Sequence, residues 1–586
     1  MDGSVILIYT PIDAAAERYL RPPLGLLYLG TVLQEHGILP QLFDFQHPDT
    51  SWKDVEEAVA QAERCLVGFF CDSENIFRVL NLSDRLLSRF PHVRIVLGGP
   101  HVTHVWEPYV TENRCVVRGE GEYSLLLLAK FCLADEGTLS DIPGIVYRQD
   151  SQLHTNPISL GPYEDINRLP IPDFCLLPRK DSYYPVLMTS RGCPYKCFFC
   201  SEGHRDHTYR PRSIQNVEQE LLSLKVFFND NMPYLSFADD VFTVSAQRVD
   251  DMCDVMDRHF PDKSRFGFFC EGRVNVLAKY PELIKRLKCA GLLRLQIGIE
   301  SGDQSMLDKL NKGFLVEEIE KVVAVAYQEQ IPSIYGNFMC GLPGQTEKDI
   351  EKEIEFAKHL VDLAPGRLDL SMSVLTPYPG TEYRINASRW GLTIVDHDFI
   401  TGRMATDSSF IETSFLTRRQ IEYLCAHFKS EVEAYSLEKA AFSLTSQEIK
   451  ELFVLTAERS LPIVLVQKLS QLDHARWILH LRSRENHRFL FELPDNLRTA
   501  ASPLSVVSNK VVQSGETFLI NEYSAMEFEL TQDEMQVYQY FSGKLNFGEI
   551  AQRVSSDKSM TKDCALRKCL EVYLKCEDHL AAIVLL

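Results

Sequence analysis

Thr189-Ser190-Arg191-Gly192-Cys193-Pro194-Tyr195-Lys196-Cys197-Phe198-Phe199-Cys200 follows an apolar segment, residues 184–188, that predicts a strand. Three thiolates on one short loop can each hold one iron of a [4Fe–4S] cube, leaving the fourth iron open to a small molecule. Such an arrangement passes one electron into a bound sulfonium. Zinc is the main alternative. It normally takes four protein ligands, usually as two pairs, and no second pair lies nearby; His204 and His207 can complete a zinc site with the loop.

Working outward, strand patterns at 184–188, 234–237, 266–271, 293–299, 333–339 and 368–375 alternate with helical patterns at 215–228, 246–259, 280–289, 316–328 and 347–361. Residues 184–384 therefore predict a partial (β/α)6 TIM-like barrel, with the cysteine loop at a strand C-terminus, where such folds place their chemistry. Residues 1–132 alternate shorter strands and helices, which predicts a doubly wound, Rossmann-like α/β domain whose ligands sit beyond the carboxyl ends of the strands. Repeated Pro and Gly turn signals mark 133–183 as a linker with one small hairpin. Residues 385–494 read as a mainly helical extension, with a helix at 417–435 and short strands at 463–467, 477–481 and 489–492. Residues 495–586 form a small α+β module, with strands at 505–510 and 516–521 and helices at 531–541, 547–554 and 565–575.

The 586 residues carry a net charge of −20, which argues against a broad nucleic-acid surface. No stretch approaches the roughly 20 apolar residues of a membrane span, and residues 1–9 lack a signal peptide's basic flank and cleavage site. The expectation is a cytoplasmic protein, without membrane or nucleic-acid partners, whose 16 cysteines stay reduced.

The cysteine loop resembles the signature of radical S-adenosylmethionine (SAM) enzymes, in which the SAM amino and carboxylate groups chelate the unique iron. The resemblance continues through Phe237-Ala238-Asp239-Asp240-Val241-Phe242, Glu271-Gly272-Arg273, Ile297-Gly298-Ile299-Glu300-Ser301-Gly302, Gly341-Leu342-Pro343-Gly344 and Thr376-Pro377-Tyr378-Pro379-Gly380-Thr381. It implies a cluster on Cys193, Cys197 and Cys200, and SAM contacts from Phe199, Glu271, Arg273, Glu300, Ser301, Gly341 and Pro377. Glu300 would accept the ribose hydroxyls, Arg273 would pair with the SAM carboxylate and Phe199 would lie against the adenine. A barrel-lining ion pair is the alternative for Glu300 and Arg273. Asp239-Asp240 reads equally as a metal or amine site and as a strand-end cap.

The N-terminal domain resembles the cobalamin-binding domain found ahead of one large subgroup of these enzymes. The matching residues are Arg21-Pro22-Pro23-Leu24-Gly25-Leu26-Leu27-Tyr28-Leu29, Leu97-Gly98-Gly99-Pro100-His101 and Val117-Arg118-Gly119-Glu120-Gly121-Glu122. The resemblance implies cobalamin contacts from Leu24, Gly25, Gly98, Gly99, Pro100, His101, Gly119, Glu120 and Gly121, and from Cys71, Asp72, Ser73 and Asn75 in the loop after the third strand. Asp44-Phe45-Gln46-His47-Pro48-Asp49 lacks the D-x-H-x-x-G spacing of histidine-ligated cobalamin proteins, so His47 reads as a surface turn residue. Cys71 reads as buried by default, with direct cobalt ligation the alternative.

Residues 528–551 resemble the helical part of PqqD-like peptide-recognition domains, which bind a leader peptide along a strand edge; a winged-helix packing module is the even alternative. Together the resemblances imply C-methylation of an unactivated carbon in a peptide or small-molecule natural-product intermediate. Oxidative cyclisation without methyl transfer is the alternative. A flavodoxin-type electron donor is implied as well.

Overall fold

The computed structural model describes residues 3–11, 20–178, 182–201, 209–395 and 408–444, positions 448, 452 and 455, and residues 502–505, 511–513, 517–521, 526–541, 545–558, 560–578 and 582–585. His204, His207 and the strand expectations at 463–467, 477–481 and 489–492 lie outside the described residues. The chain forms two compact units: residues 1–329, 335–356 and 370–430, and residues 330–334, 357–369 and 431–586.

The first unit opens with β1 (Gly3–Tyr9), α1 (Leu24–Glu35), β2 (Pro40–Asp44), α2 (Trp52–Gln61), β3 (Arg64–Phe70), α3 (Ile76–Arg89), β4 (Val93–Gly98), α4 (Pro100–His104), β5 (Arg114–Val117) and α5 (Glu122–Ala134). Strands β1 and β3 are buried through their interiors, as expected where helices cover both faces of a parallel sheet. The sheet order is β2-β1-β3-β4-β5, all parallel, and the chain reverses direction of travel between β1 and β3. A crevice forms at such a switch point, outside the strands' carboxyl ends. The hairpin expected within 133–183 is β6 (Ile145–Gln149) and β7 (Gln152–Thr155). It extends this sheet in antiparallel fashion beyond β5 rather than standing free in a linker.

The second sheet follows in sequence order: β8 (Val186–Leu187), β11 (Leu235–Phe237), β12 (Phe268–Gly272), β13 (Leu292–Glu300), β14 (Ser333–Cys340) and β15 (Leu368–Val374). β8 and β15 are its outer strands and do not pair with each other among the described residues, so the barrel is open, as the six βα units imply. Between β8 and β11 a two-strand ladder pairs β9 (Ser190–Arg191) with β10 (Arg210–Pro211). The connecting helices are α6 (Ile214–Phe227), α7 (Ala246–His259), α8 (Val274–Lys279), α9 (Glu282–Ala290), α10 (Gln304–Lys309), α11 (Val316–Gln328) and α12 (Glu347–Leu363). Side chains of Ser213, Ser245 and Asp303 cap the first turns of α6, α7 and α10 by accepting from backbone N–H groups. After β15 come α13 (Glu382–Ile385), the antiparallel pair β16 (Leu392–Ile394) and β17 (Ile411–Thr413), and the 26-residue α14 (Arg418–Ser443).

In the second unit, β18 (Ser502–Ser505) pairs with the final strand β22 (Ala582–Leu585). An antiparallel sheet of order β19-β20-β21 joins Val511–Gln513, Thr517–Asn521 and Met526–Leu530. Helices α15 (Gln532–Tyr538), α16 (Phe547–Lys558) and α17 (Lys562–Asp578) enclose a core of Leu530, Val537, Phe541, Phe547, Ile550 and Tyr573. The strand expected at 505–510 ends at Ser505 among the described residues.

Candidate functional site

The cysteine loop leaves the barrel through Thr189, which is held on every polar atom the loop start exposes. Asp239, at the end of β11, accepts from Thr189 N (2.6 Å), Thr189 Oγ1 (2.5 Å) and Ser190 Oγ (2.6 Å). The Thr189 carbonyl accepts from Arg212 N and from Arg248 Nη2, both at 2.9 Å. Of the two readings of Asp239, the structure selects the strand-end cap, because its oxygens are committed to the loop. Burial pushes the Asp239 carboxyl up, and these same hydrogen bonds oppose the shift.

Further along, Phe198 N donates to Leu310 O (3.1 Å), Asn311 Nδ2 donates to Lys196 O (2.7 Å) and Tyr383 N donates to Phe198 O (3.3 Å). The loop is thus clamped by the turn after α10 and by α13. Arg273 stacks over Tyr195, 3.7 Å from the ring centroid, and its Nη1 lies 3.5 Å from Cys197 Sγ. Arg273 Nη2 donates to the Lys312 carbonyl, and its buried Nε has no partner among the described residues. Burial holds the Cys193 thiol above its ordinary pKa. Among the described residues, no group of three His, Cys, Asp or Glu side chains stands ready to hold a metal ion. A cube receives each thiolate at a separate corner. The three thiols on one anchored loop fit the cube.

At the other strand ends, Glu300 has φ +66°, a left-handed conformation that a non-glycine residue holds only under local constraint. Its Oε1 pairs with Lys312 Nζ at 2.9 Å, and both side chains are buried. The expected ion pair therefore exists, but its cation is Lys312 and not Arg273. Phe199 lies beside the same ammonium, 5.6 Å from its ring centroid. Glu271 accepts from Gln296 Nε2 (3.2 Å), and burial pushes its carboxyl up to about 7, with Asp240 and Glu300 adding to the shift and Arg21 opposing it. Two expected SAM contacts have their polar groups engaged in packing. Ser301 Oγ donates to Glu353, and Gly341 (φ +83°) donates its N–H to Gln345 and faces Ile421. Pro377 is buried.

Of the glycines expected at the N-terminal crevice, Gly25 and Gly98 are open, whereas a Cβ at Gly99 would lie 2.4 Å from the Cys71 carbonyl oxygen. A Cβ at Gly25 would meet nothing within 4 Å, and one at Gly98 only the Val117 carbonyl at 4.0 Å, so both leave room for a ligand. Leu24 and Pro100 are the first residues of α1 and α4. The side chains expected around the corrinoid mostly brace one another. Ser73 Oγ and Tyr109 OH hydrogen-bond the two ring nitrogens of His101 (2.8 and 3.0 Å), and burial lowers the imidazole to about 4. Asn75 donates to the Thr10 and Phe70 carbonyls and accepts from Asp72 N, while Asp72 accepts from Glu74 N and Asn75 N. Cys71 is fully buried, its Sγ donating to Phe69 O and its thiol pushed far up by burial, which is unsuited to thiolate ligation. His47 is buried, not a surface residue; its ring nitrogens meet Ser182 Oγ (3.1 Å) and Asp49 N (3.1 Å).

Gly119 (φ +78°) and Gly121 flank Glu120, whose oxygens are spent on Arg191 and Arg210 of the β9–β10 ladder. The sequence reading missed this, and it missed Tyr28, whose hydroxyl donates to Glu220 beside Arg212. It missed Lys312 as well, although Asn311-Lys312-Gly313, with positive φ at both ends, carries a turn signal. From β15, Tyr378 packs against the N-terminal core and reaches toward Glu74, and Gly380 (φ +86°) lies so close to His104 that a Cβ would sit 2.4 Å from its ring. The strand ends of the barrel and of the N-terminal sheet are therefore joined through Arg191 and through this loop.

Residues 187–357 match the family model of the radical SAM superfamily, and residues 13–129 match that of the B12 binding domain. The chain is 29% identical, over 65% of its length and 83% of the relative's, to the uncharacterized methyltransferase PH0819 of Pyrococcus horikoshii. It is 25% identical to the anaerobic magnesium-protoporphyrin IX monomethyl ester cyclase of Cereibacter sphaeroides, over 61% of this chain and 59% of that one. Among solved structures, the cobalamin-dependent S-adenosylmethionine radical enzyme OxsB, with aqua-cobalamin and S-adenosylmethionine bound, aligns with a TM-score of 0.61 at 17% identity. That alignment covers 98% of this chain and 84% of the other, and it is a likeness of fold.

Proposed function

We propose that this chain, which joins a B12-binding domain to a radical SAM domain, is a cobalamin-dependent radical SAM C-methyltransferase. Its substrate is an unactivated carbon in a peptide or small-molecule natural-product intermediate. The observation that carries the reading is the anchored three-cysteine loop, tied by Arg191 to the glycine-lined crevice of the N-terminal domain. When bound, the cluster and SAM supply a hydrogen-abstracting radical, and cobalamin supplies a transferable methyl group. Cys193, Cys197 and Cys200 would hold the cluster. Gly25, Gly98, Gly99, Gly119 and Gly121 would admit the corrinoid. Phe199, Glu271, Arg273 and Glu300 would line the SAM site, with Glu300 exchanging Lys312 for ribose hydroxyls.

The chain's own contribution is placement. Asp239 sets the start of the cysteine loop, Arg273 sets the orientation of Tyr195 and Cys197, and the 376–381 loop closes the crevice from the barrel side, which excludes water from a reactive centre. A flavodoxin-type donor supplies the electron. In the C-terminal module β19 is paired only with β20 among the described residues, which supports leader-peptide capture by strand addition.

The test is anaerobic turnover of candidate substrates with SAM carrying a deuterated methyl group. Methyl transfer predicts 5′-deoxyadenosine together with a product that gains the labelled methyl. The likeness to the cyclase supports a second reading, oxidative cyclisation. In that case the product loses hydrogens and carries no label.

A further inference from the structure

Glu120 follows β5, in the loop that borders the crevice of the N-terminal sheet. Its Oε2 accepts from Arg191 Nη1 at 2.5 Å, and its Oε1 accepts from Arg210. Arg191 Nη2 donates to Glu122 Oε1 at 2.6 Å, and the guanidinium lies over the Tyr28 ring, 5.2 Å from the centroid. Arg191 and Arg210 face each other across the β9–β10 ladder, so one carboxylate grips both strands of the hairpin from which the cysteine loop springs. Only Gly192 separates Arg191 from Cys193.

On the crevice side, Gly119 N donates to Thr103 Oγ1 (3.0 Å), and Thr103 Oγ1 donates to the Gly99 carbonyl (2.9 Å). A continuous polar path thus runs from the Gly98–Gly99 turn to the first cluster cysteine. All four charged side chains are at most 19% exposed. Charge-assisted bonds of this kind are short and directional, so displacing either loop strands a buried charge.

We propose that the Glu120–Arg191–Arg210 cluster couples the two ligand sites: corrinoid in the N-terminal crevice and SAM at the cysteine loop favour the same arrangement of these residues and therefore bind cooperatively. Glu120 and Arg191 are positioning residues in this account. The inference rests on the cofactor pair proposed above. The Tyr28–Glu220–Arg212 contact involves neither Glu120 nor Arg210 and keeps the two domains docked when either of these is altered.

The experiment measures SAM affinity by equilibrium dialysis on the anaerobically reconstituted full chain, with and without hydroxocobalamin. Coupling free energies between sites typically span about 5- to 150-fold in affinity. The wild type is expected to bind SAM about tenfold more tightly with corrinoid present, and by linkage to bind hydroxocobalamin about tenfold more tightly with SAM present. Glu120→Gln and Arg191→Lys should each retain iron and corrinoid but bring that ratio close to one. A wild type that binds both ligands without linkage overturns the inference, as does Glu120→Gln with the full ratio. If either variant fails to load iron, the wild-type ratio and Arg210→Lys decide on the same criteria. A wild type that binds no corrinoid defeats instead the functional reading on which the inference stands.

Discussion

Replacing Gly99 with alanine separates the structural demand of the crevice from its ligand-binding demand. Gly99 has φ 129° and ψ −179°, a region open essentially only to glycine. A Cβ built there would lie 2.4 Å from the Cys71 carbonyl oxygen and 3.0 Å from Cys71 N. Both are backbone atoms of the tight turn after β3, so no side chain can rotate away. The backbone conformation costs about 1–3 kcal/mol for a residue with Cβ, and forcing a methyl group into closed packing costs about 1–3 kcal/mol more. Gly99→Ala should therefore destabilise the N-terminal domain by about 4 kcal/mol, a large share of the roughly 5–15 kcal/mol typical of a folded protein. Gly98→Ala is the matched comparison, because its Cβ would meet only the Val117 carbonyl at 4.0 Å. The assay pairs thermal and denaturant unfolding of the apoprotein with corrinoid content after anaerobic loading. The expected result is a large stability loss for Gly99→Ala, and near-normal stability with weakened corrinoid binding for Gly98→Ala. Gly99→Ala with wild-type unfolding and full corrinoid would refute the packing argument.

Three further outcomes follow from the same geometry. Asp239→Asn puts an amide donor against the hydroxyls of Thr189 and Ser190, costs about 1–3 kcal/mol, and should lower iron incorporation while corrinoid loading persists; unchanged iron content contradicts the role given to Asp239. Burial lowers the His101 imidazole from its ordinary 6.5 to about 4 in the folded chain, so between these values the unfolded state binds more protons. Stability should therefore be lost as pH falls through that window, by up to about 3 kcal/mol, and His101→Gln should flatten the profile in pH-dependent unfolding. Lys312→Met leaves Glu300 buried without its cation and should cost about 3–5 kcal/mol, most of which a second change, Glu300→Gln, restores; equal stability of the single and double variants counts against the pair.

The legibility of this chain follows the range of each signal. Helices α7 and α11 run where periodicity places them, because amphipathic spacing is local. The chain order of domains is legible for a similar reason: cysteine spacing and glycine-rich strand ends are short-range patterns tied to backbone demands. Partnerships across the sequence are not. Glu120 and Arg191 are 71 positions apart, and no local pattern distinguishes a carboxylate that meets a corrinoid from one that meets two arginines. Lys312 was hidden for the same reason, since its pairing with Glu300 depends on the strained turn at the end of β13. The β6–β7 hairpin was visible as turn chemistry, but its attachment to β5 was not, because a strand edge leaves no mark on the strand that later covers it.

The central claim is that one loop carries a cube with an open corner. Iron, sulfide and zinc analysis of the anaerobically reconstituted full chain, followed by electron paramagnetic resonance of the reduced protein with and without SAM, tests it most directly. The account predicts four irons and four sulfides per chain, a spectrum that changes on adding SAM, and loss of both in Cys193→Ala, Cys197→Ala and Cys200→Ala with corrinoid retained. Stoichiometric zinc without sulfide, or a reduced cluster whose spectrum ignores SAM, would contradict it.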